Sequence, residues 1–191
     1  MRFACALGFV VILMGSFVMA EDTLKVLFDF TGGDAAKEWR TVNDGVMGGV
    51  SEGKFKITDK KALEFFGTLS LAKNGGFASV RTKGKKLGLE QGDTLVVKVR
   101  GDGREYEMNL YVPTIQIAYS YRAVFQTQKD KWIEIKLPLD KFYATSFGRV
   151  VKNAGQVNPA SVNGIGLMLG DKKAGPFKME VESIMVERAG K

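Results

Sequence analysis

From Lys25 onward the chain alternates. "KVLFDF" sets Val26, Phe28 and Phe30 on one side, and "EYEMNLYV" sets Tyr106, Met108, Leu110 and Val112 against Glu105, Glu107 and Asn109. A period of two sends successive side chains to opposite faces of an extended backbone, so each run is expected to be a strand with one face buried. Further runs are "KFKI", "ALEFFGTLSL", "FASVRT", "TLVVKVR", "SYRAVFQT", "WIEIKLPL", "NGIGLML" and "FKMEVESIMV", about ten strands in all. Thr58 to Lys61, Gly101-Asp102-Gly103, Gln128 to Asp130 and Asp171 to Pro176 separate them with the chemistry of hairpin connections. After the first twenty residues no twelve-residue stretch carries an apolar stripe at the helical period. "TGGDAAKEW" is expected to make a helical turn or two, and "PLDKFYATSFGRVVKNAGQVNPAS" an extended excursion over the surface. Many short antiparallel strands with little helix predict an all-β sandwich or jelly roll. No repeat or linker divides the chain.

The first twenty residues, "MRFACALGFVVILMGSFVMA", combine Arg2, an apolar run and the small-residue pattern Val18-Met19-Ala20. That pattern predicts a secretory signal over residues 1–20, cleaved after Ala20, and a single β-sandwich domain over residues 21–191. The run from Phe3 to Val18 is sixteen residues, short of the roughly 20 that a membrane-spanning helix needs. Neither amphipathic nor Arg-rich, the segment does not read as a mitochondrial presequence. The expectation is an exported protein, periplasmic or extracellular.

The chain has no histidine and one cysteine, Cys5, inside that leader. Histidine-based triads and most zinc sites are therefore excluded. No spacing singles out a carboxylate pair, so no catalytic residue is assigned. "GIGLMLG" contains G-x-G but lies in a strand pattern with no following helix, so it does not read as a dinucleotide site, and no cofactor is expected. No alternating Asp/Asn run resembles a calcium loop, and no metal is assigned. The net charge of +7 is spread over scattered lysines. Without a recognition motif or interleaved Arg and aromatic residues, this excludes nucleic acid as the expected partner.

The candidate binding residues lie in glycine-rich corners and on possible sheet faces. In "TVNDGVMGGVSEGKF", Asn43-Asp44-Gly45 is a turn signature and Gly48-Gly49 permits a close approach. Two readings fit: a strand corner with Ser51 as a local cap, or a rim loop presenting Asp44 and Ser51 to a sugar or a partner's backbone. "LAKNGGFASVR" holds Asn74-Gly75, a hairpin dipeptide, followed by Arg81, which suits an anion or a pairing with Asp44. Arg100-Gly101-Asp102 reads as a tight turn, not an adhesion motif. Arg100, Arg104 and Arg122 are candidates for a basic stripe on one sheet face with Tyr111, Tyr119 and Tyr121 among them, a combination suited to sugars and protein hot spots. Trp39 and Trp132 are expected to anchor the core.

Five phrases occur in the order and approximate spacing of a known family: "WRTVNDGVMGGVSEGKF", "GTLSLAKNGGFASVR", "VRGDGREY", "YRAVFQT" with "WIEIKLPLDKF", and "NGIGLMLGDKKAGPFKMEVESI". From about Phe28 to Ile184 the chain resembles the complex I intermediate-associated protein family. The resemblance implies a jelly-roll β-sandwich of the galactose-binding-like type. It also implies a non-catalytic role, since members of the family serve as assembly factors for the membrane arm of respiratory complex I. The export-like leader argues against carrying that biological role over. What remains is a binding module that holds a protein partner at or near a membrane, with a carbohydrate-binding jelly roll as the alternative and a glycan as its ligand.

Overall fold

The structure, a computed structural model, describes residues 24–114 and 118–189. The expected leader at residues 1–20 lies outside the described residues. In chain order the strands are β1 (Leu24–Phe28), β2 (Trp39–Thr41), β3 (Glu52–Ile57), β4 (Leu63–Leu69), β5 (Ala78–Thr82), β6 (Thr94–Arg100), β7 (Glu105–Tyr111), β8 (Ser120–Gln126), β9 (Trp132–Pro138), β10 (Tyr143–Ser146), β11 (Arg149–Val150), β12 (Gly164–Leu169) and β13 (Gly175–Glu187). One sheet has six strands in the order β3-β4-β13-β6-β9, with β1 also on β13, and the other has seven in the order β11-β10-β8-β7-β12-β5-β2. Every strand pair is antiparallel. The all-β sandwich expected from the alternation is the observed fold.

Each alternating run found in the sequence contains a strand. The three strands without such a run, β2, β10 and β11, have two to four residues, too short to display a period. "TGGDAAKEW" contributes a single 3-10 turn at Ala35–Glu38. The inner faces meet in one core, with Phe65, Val97, Met179 and Ile184 from the six-stranded sheet against Val80, Met108, Leu110 and Leu167 from the other. In β13 the buried apolar set runs 177, 179, 181 and then 184, 186. The break coincides with a register shift against β6 between Val181 and Ser183. One extra residue there keeps both halves of a long strand facing the core.

The outer face of the six-stranded sheet is a ladder of opposite charges. Lys56 and Lys178 reach Glu64 at 3.3 and 3.0 Å, Arg100 meets Glu180, and Lys98 meets Glu182. Such half-solvated pairs contribute about 0–1 kcal/mol each, so this face is satisfied within itself. Trp132 lies on this face, partly exposed under Arg100, with the guanidinium 5.1 Å from its ring, while Trp39 is buried in the core as expected.

Candidate functional site on the outward face of the seven-stranded sheet

The opening glycine-rich corner is a buried knot rather than a presenting loop. Asp44 is 0% exposed. Its carboxylate accepts from the Ser51 N–H at 2.9 Å, the Ser51 hydroxyl at 2.6 Å, the Gly76 N–H at 2.6 Å and the Phe77 N–H at 3.3 Å. Burial alone would raise its pKa, but those hydrogen bonds outweigh burial and hold the carboxyl below its ordinary value. Gly49 makes room for this carboxylate, since a Cβ there would lie 2.3 Å from Asp44 Cγ. Gly48 ends the 3-10 turn Asp44–Met47 at φ 89°, a conformation that favours glycine.

Other candidates are corrected by the topology. Arg100 lies on β6 and Arg122 on β8, in different sheets, so the stripe through Arg100, Arg104 and Arg122 does not form. Arg104 instead clamps a corner: it donates to both Asp171 oxygens at 2.9 and 2.7 Å and to the Pro176 carbonyl at 3.1 Å. The Asp102 carboxylate sits in the neighbouring turn, accepting from the Arg104 and Lys178 N–H groups and from the Tyr106 hydroxyl. Tyr121 faces inward, its hydroxyl 3.0 Å from the Ala154 carbonyl and 3.2 Å from that of Gln156. Asn74-Gly75 is not a hairpin turn, because β4 and β5 belong to different sheets; Asn74 closes a 3-10 turn at φ 58°. Arg81 does not reach Asp44, whose acceptors are taken.

Arg81 and Arg122 do share a surface. Strand register runs Arg40, Arg81, Gly166, Asn109, Arg122 and Tyr143 side by side across β2, β5, β12, β7, β8 and β10. Gly166 is the low point of this row. A Cβ there would lie 3.0 Å from the Tyr111 hydroxyl and 3.1 Å from Arg81 Cγ, so its absence lets both side chains lie across the strand. The Arg81 guanidinium stacks 5.0 Å from the Tyr111 ring, and its Nε donates to the Ser79 hydroxyl at 3.0 Å. On the other flank Arg122 donates to Tyr143 Oη at 3.1 Å and to Glu107 Oε1 at 2.9 Å.

Between the flanks stand Glu107 and Asn109, two apart on β7 and therefore on one face. They are 8% and 3% exposed although the face points away from the core. Asn109 Oδ1 accepts from the Ser120 hydroxyl at 3.1 Å. Its Nδ2 and the Oε2 of Glu107 are sealed and have no hydrogen-bond partner among the described residues. Leaving a buried polar group unpaired costs about 1–3 kcal/mol, and two adjacent ones call for a functional account. Burial raises the Glu107 pKa, and although the Arg122 charge and hydrogen bond pull it down, the net shift is upward. A carboxyl with a raised folded pKa adds stability below its unfolded pKa and loses it as pH rises through the folded value. At neutral pH Glu107 therefore works against folding, as residues held for function do. Glu107→Gln, which cannot titrate, is expected to gain stability relative to wild type as pH is raised from 4 to 8, measured by urea unfolding; a difference that is flat with pH sinks this account.

Sequence reasoning missed Arg40, Glu107, Asn109 and Tyr143 as site residues. The available signal was the polar side of "EYEMNLYV", which sets Glu105, Glu107 and Asn109 on one face. Among the described residues, no cluster of three or more metal-ligating side chains forms, and no helix is long and apolar enough to cross a membrane.

Among solved structures, the family 11 carbohydrate-binding module of a Clostridium thermocellum cellulosomal cellulase superposes with a TM-score of 0.68 at 16% identity, over 88% of this chain and 96% of that one. At that identity the likeness shows the fold alone. Two curated relatives, both named complex I intermediate-associated protein 30, mitochondrial, come from Mus musculus and Drosophila melanogaster. Each is 29% identical over 85% of this chain, which spans 56% and 62% of their respective lengths. Their names overturn the expectation of an exported, periplasmic or extracellular protein. That expectation rested on residues 1–20 alone, whereas the relationship runs through most of the chain. Residues 28–181 match the family model for Complex I intermediate-associated protein 30 (CIA30), and the chain belongs to that family.

Proposed function

We propose that this chain is a non-catalytic binding module for complex I assembly, holding a protein partner against the outward face of the seven-stranded sheet. The observation that carries this reading is the pair of sealed, unpartnered polar atoms on Glu107 and Asn109, set between two arginine–tyrosine pairs. Arg and Tyr are the residue types that dominate protein hot spots, and a partner that shifts the side chains covering Glu107 and Asn109 can satisfy polar atoms that the fold leaves unpaired. The mitochondrial relatives named for a complex I intermediate supply the class of partner. A non-catalytic role is supported by chemistry: the chain has no histidine, and Glu107 is committed to Arg122.

The test is co-purification of complex I subunits with the tagged full chain, comparing wild type, Asn109→Leu and Arg122→Ala. Asn109→Leu removes an unsatisfied buried amide, so its melting temperature should stay at or above wild type while partner recovery falls at least tenfold. Undiminished recovery with both variants would discard the proposal. A second reading, a glycan ligand, is favoured by Tyr111 and Tyr143, aromatic groups on the same face. Retardation of the chain in polysaccharide-loaded native gels, lost in Tyr143→Ala, would support it, and no retardation in any gel retires it.

A further inference from the structure

Arg40 and Arg81 stand directly opposite each other on β2 and β5. Like charges in that cross-strand position are destabilising. The fold answers this elsewhere: Arg100, Arg104, Arg122 and Arg188 each meet a carboxylate. Arg40 and Arg81 have none within salt-bridge distance among the described residues. What lies near them instead is the Tyr111 hydroxyl, over the floor left open by Gly166. Arg81 is held from behind, with Nε on the Ser79 hydroxyl and its plane on the Tyr111 ring. A guanidinium fixed in this way presents its remaining N–H groups at little entropic cost. Burial pushes the Tyr111 pKa up to about 12, partly offset by the charges of Arg81 and Arg40, so the phenol keeps its proton and can donate it. β2 is the end strand of its sheet, so the pair is reachable from the side.

We propose that Arg40, Arg81 and the Tyr111 hydroxyl form an oxyanion site, and that its occupant is a carboxylate on an acidic segment of the protein partner. Two guanidinium forks and one hydroxyl supply the donors that a carboxylate's lone pairs accept, and the anion cancels the repulsion between the arginines. The inference rests on the reading that a protein partner covers this face, and it extends that contact from the Glu107–Asn109 centre to the β2 edge.

The full chain is titrated with fluorescently labelled hexaglutamate at low ionic strength, with inorganic phosphate as a separate arm. Arg40→Glu and Arg81→Gln are each expected to weaken hexaglutamate binding at least tenfold. Lys54→Glu alters the charge of the opposite sheet as much as Arg40→Glu alters this one, and should change binding less than twofold. Arg40→Glu also turns the repulsive pair into an attractive one, so its melting temperature should rise by about 1–4 °C. That gain is independent of any partner and shows that lost binding does not come from unfolding. A melting temperature at or below wild type, binding unchanged within twofold, or an equal effect of Lys54→Glu overturns the site. Phosphate protection without hexaglutamate binding overturns the carboxylate assignment. Failure here while partner recovery still depends on Asn109 strikes the oxyanion site alone; failure of both strikes the reading of the whole face.

Discussion

Asp44→Ala is expected to cost about 3–5 kcal/mol, since it removes a charged acceptor from several neutral donors at once and a hydrogen bond to a charged group contributes about 1.5–3 kcal/mol. The carboxylate gathers four donors from three positions, Ser51, Gly76 and Phe77, and so ties the loop after β2 to the loop before β5. Alanine strips the partner from each of these donors. For a domain of this size the loss corresponds to a fall in melting temperature of about 6–20 °C, to be measured by calorimetry or urea unfolding. The pH dependence has a fixed sign. Burial raises the Asp44 pKa, but the bonds from Ser51, Gly76 and Phe77 more than reverse it, so the folded value lies below the ordinary one. Such a group contributes stability above its unfolded pKa and loses it as pH falls through the folded value. The gap between wild type and the non-titrating Asp44→Asn variant should therefore narrow in acid. A loss under 1 kcal/mol for Asp44→Ala, or a gap that widens in acid, refutes the knot.

Gly67→Ala should be comparably damaging, for a steric reason. Gly67 of β4 lies opposite Gly53 of β3, and a Cβ at Gly67 would stand 1.8 Å from the Glu52 carbonyl oxygen. That oxygen belongs to the backbone of a paired strand, so no rotamer change relieves the clash; β3 must move away or the ladder must open. Overpacking in well-packed regions costs about 1–3 kcal/mol and occasionally more, and a backbone collision belongs at the upper end, about 3 kcal/mol or beyond. Gly45 is the control: nothing lies within 4 Å of its added Cβ, and Gly45→Ala should stay within about 0.5 kcal/mol of wild type. Soluble yield and denaturant midpoints of the two variants decide the matter, and similar midpoints would refute the steric argument.

These glycines show where reading from sequence stops. "MGGVSEGKF" draws attention to Gly48 and Gly49 because glycines cluster there, yet the most constrained glycine, Gly67, sits alone inside the strand "EFFGTL". Its constraint comes from the Glu52 carbonyl on the neighbouring strand. Tyr121 is a second instance. The sequence places it beside Arg122, and alternation then sends the two to opposite faces, Tyr121 into the core and Arg122 outward. Arg100 and Arg104 look like neighbours of Arg122 until sheet membership separates them.

The sequence by itself determined the all-β architecture and the ten longer strands, because period-two burial is a local property written in consecutive residues. It also marked the polar side of β7 and the turn at Asp44. Tertiary structure alone decided which arginines share a face, that Asp44 would be a sealed staple, and that Arg40 would oppose Arg81 while Glu107 and Asn109 kept atoms without partners. Those relations depend on contacts between segments apart in sequence, and in the strands a register shift of one residue would send Arg40, Arg81, Glu107, Asn109 and Arg122 to the other face.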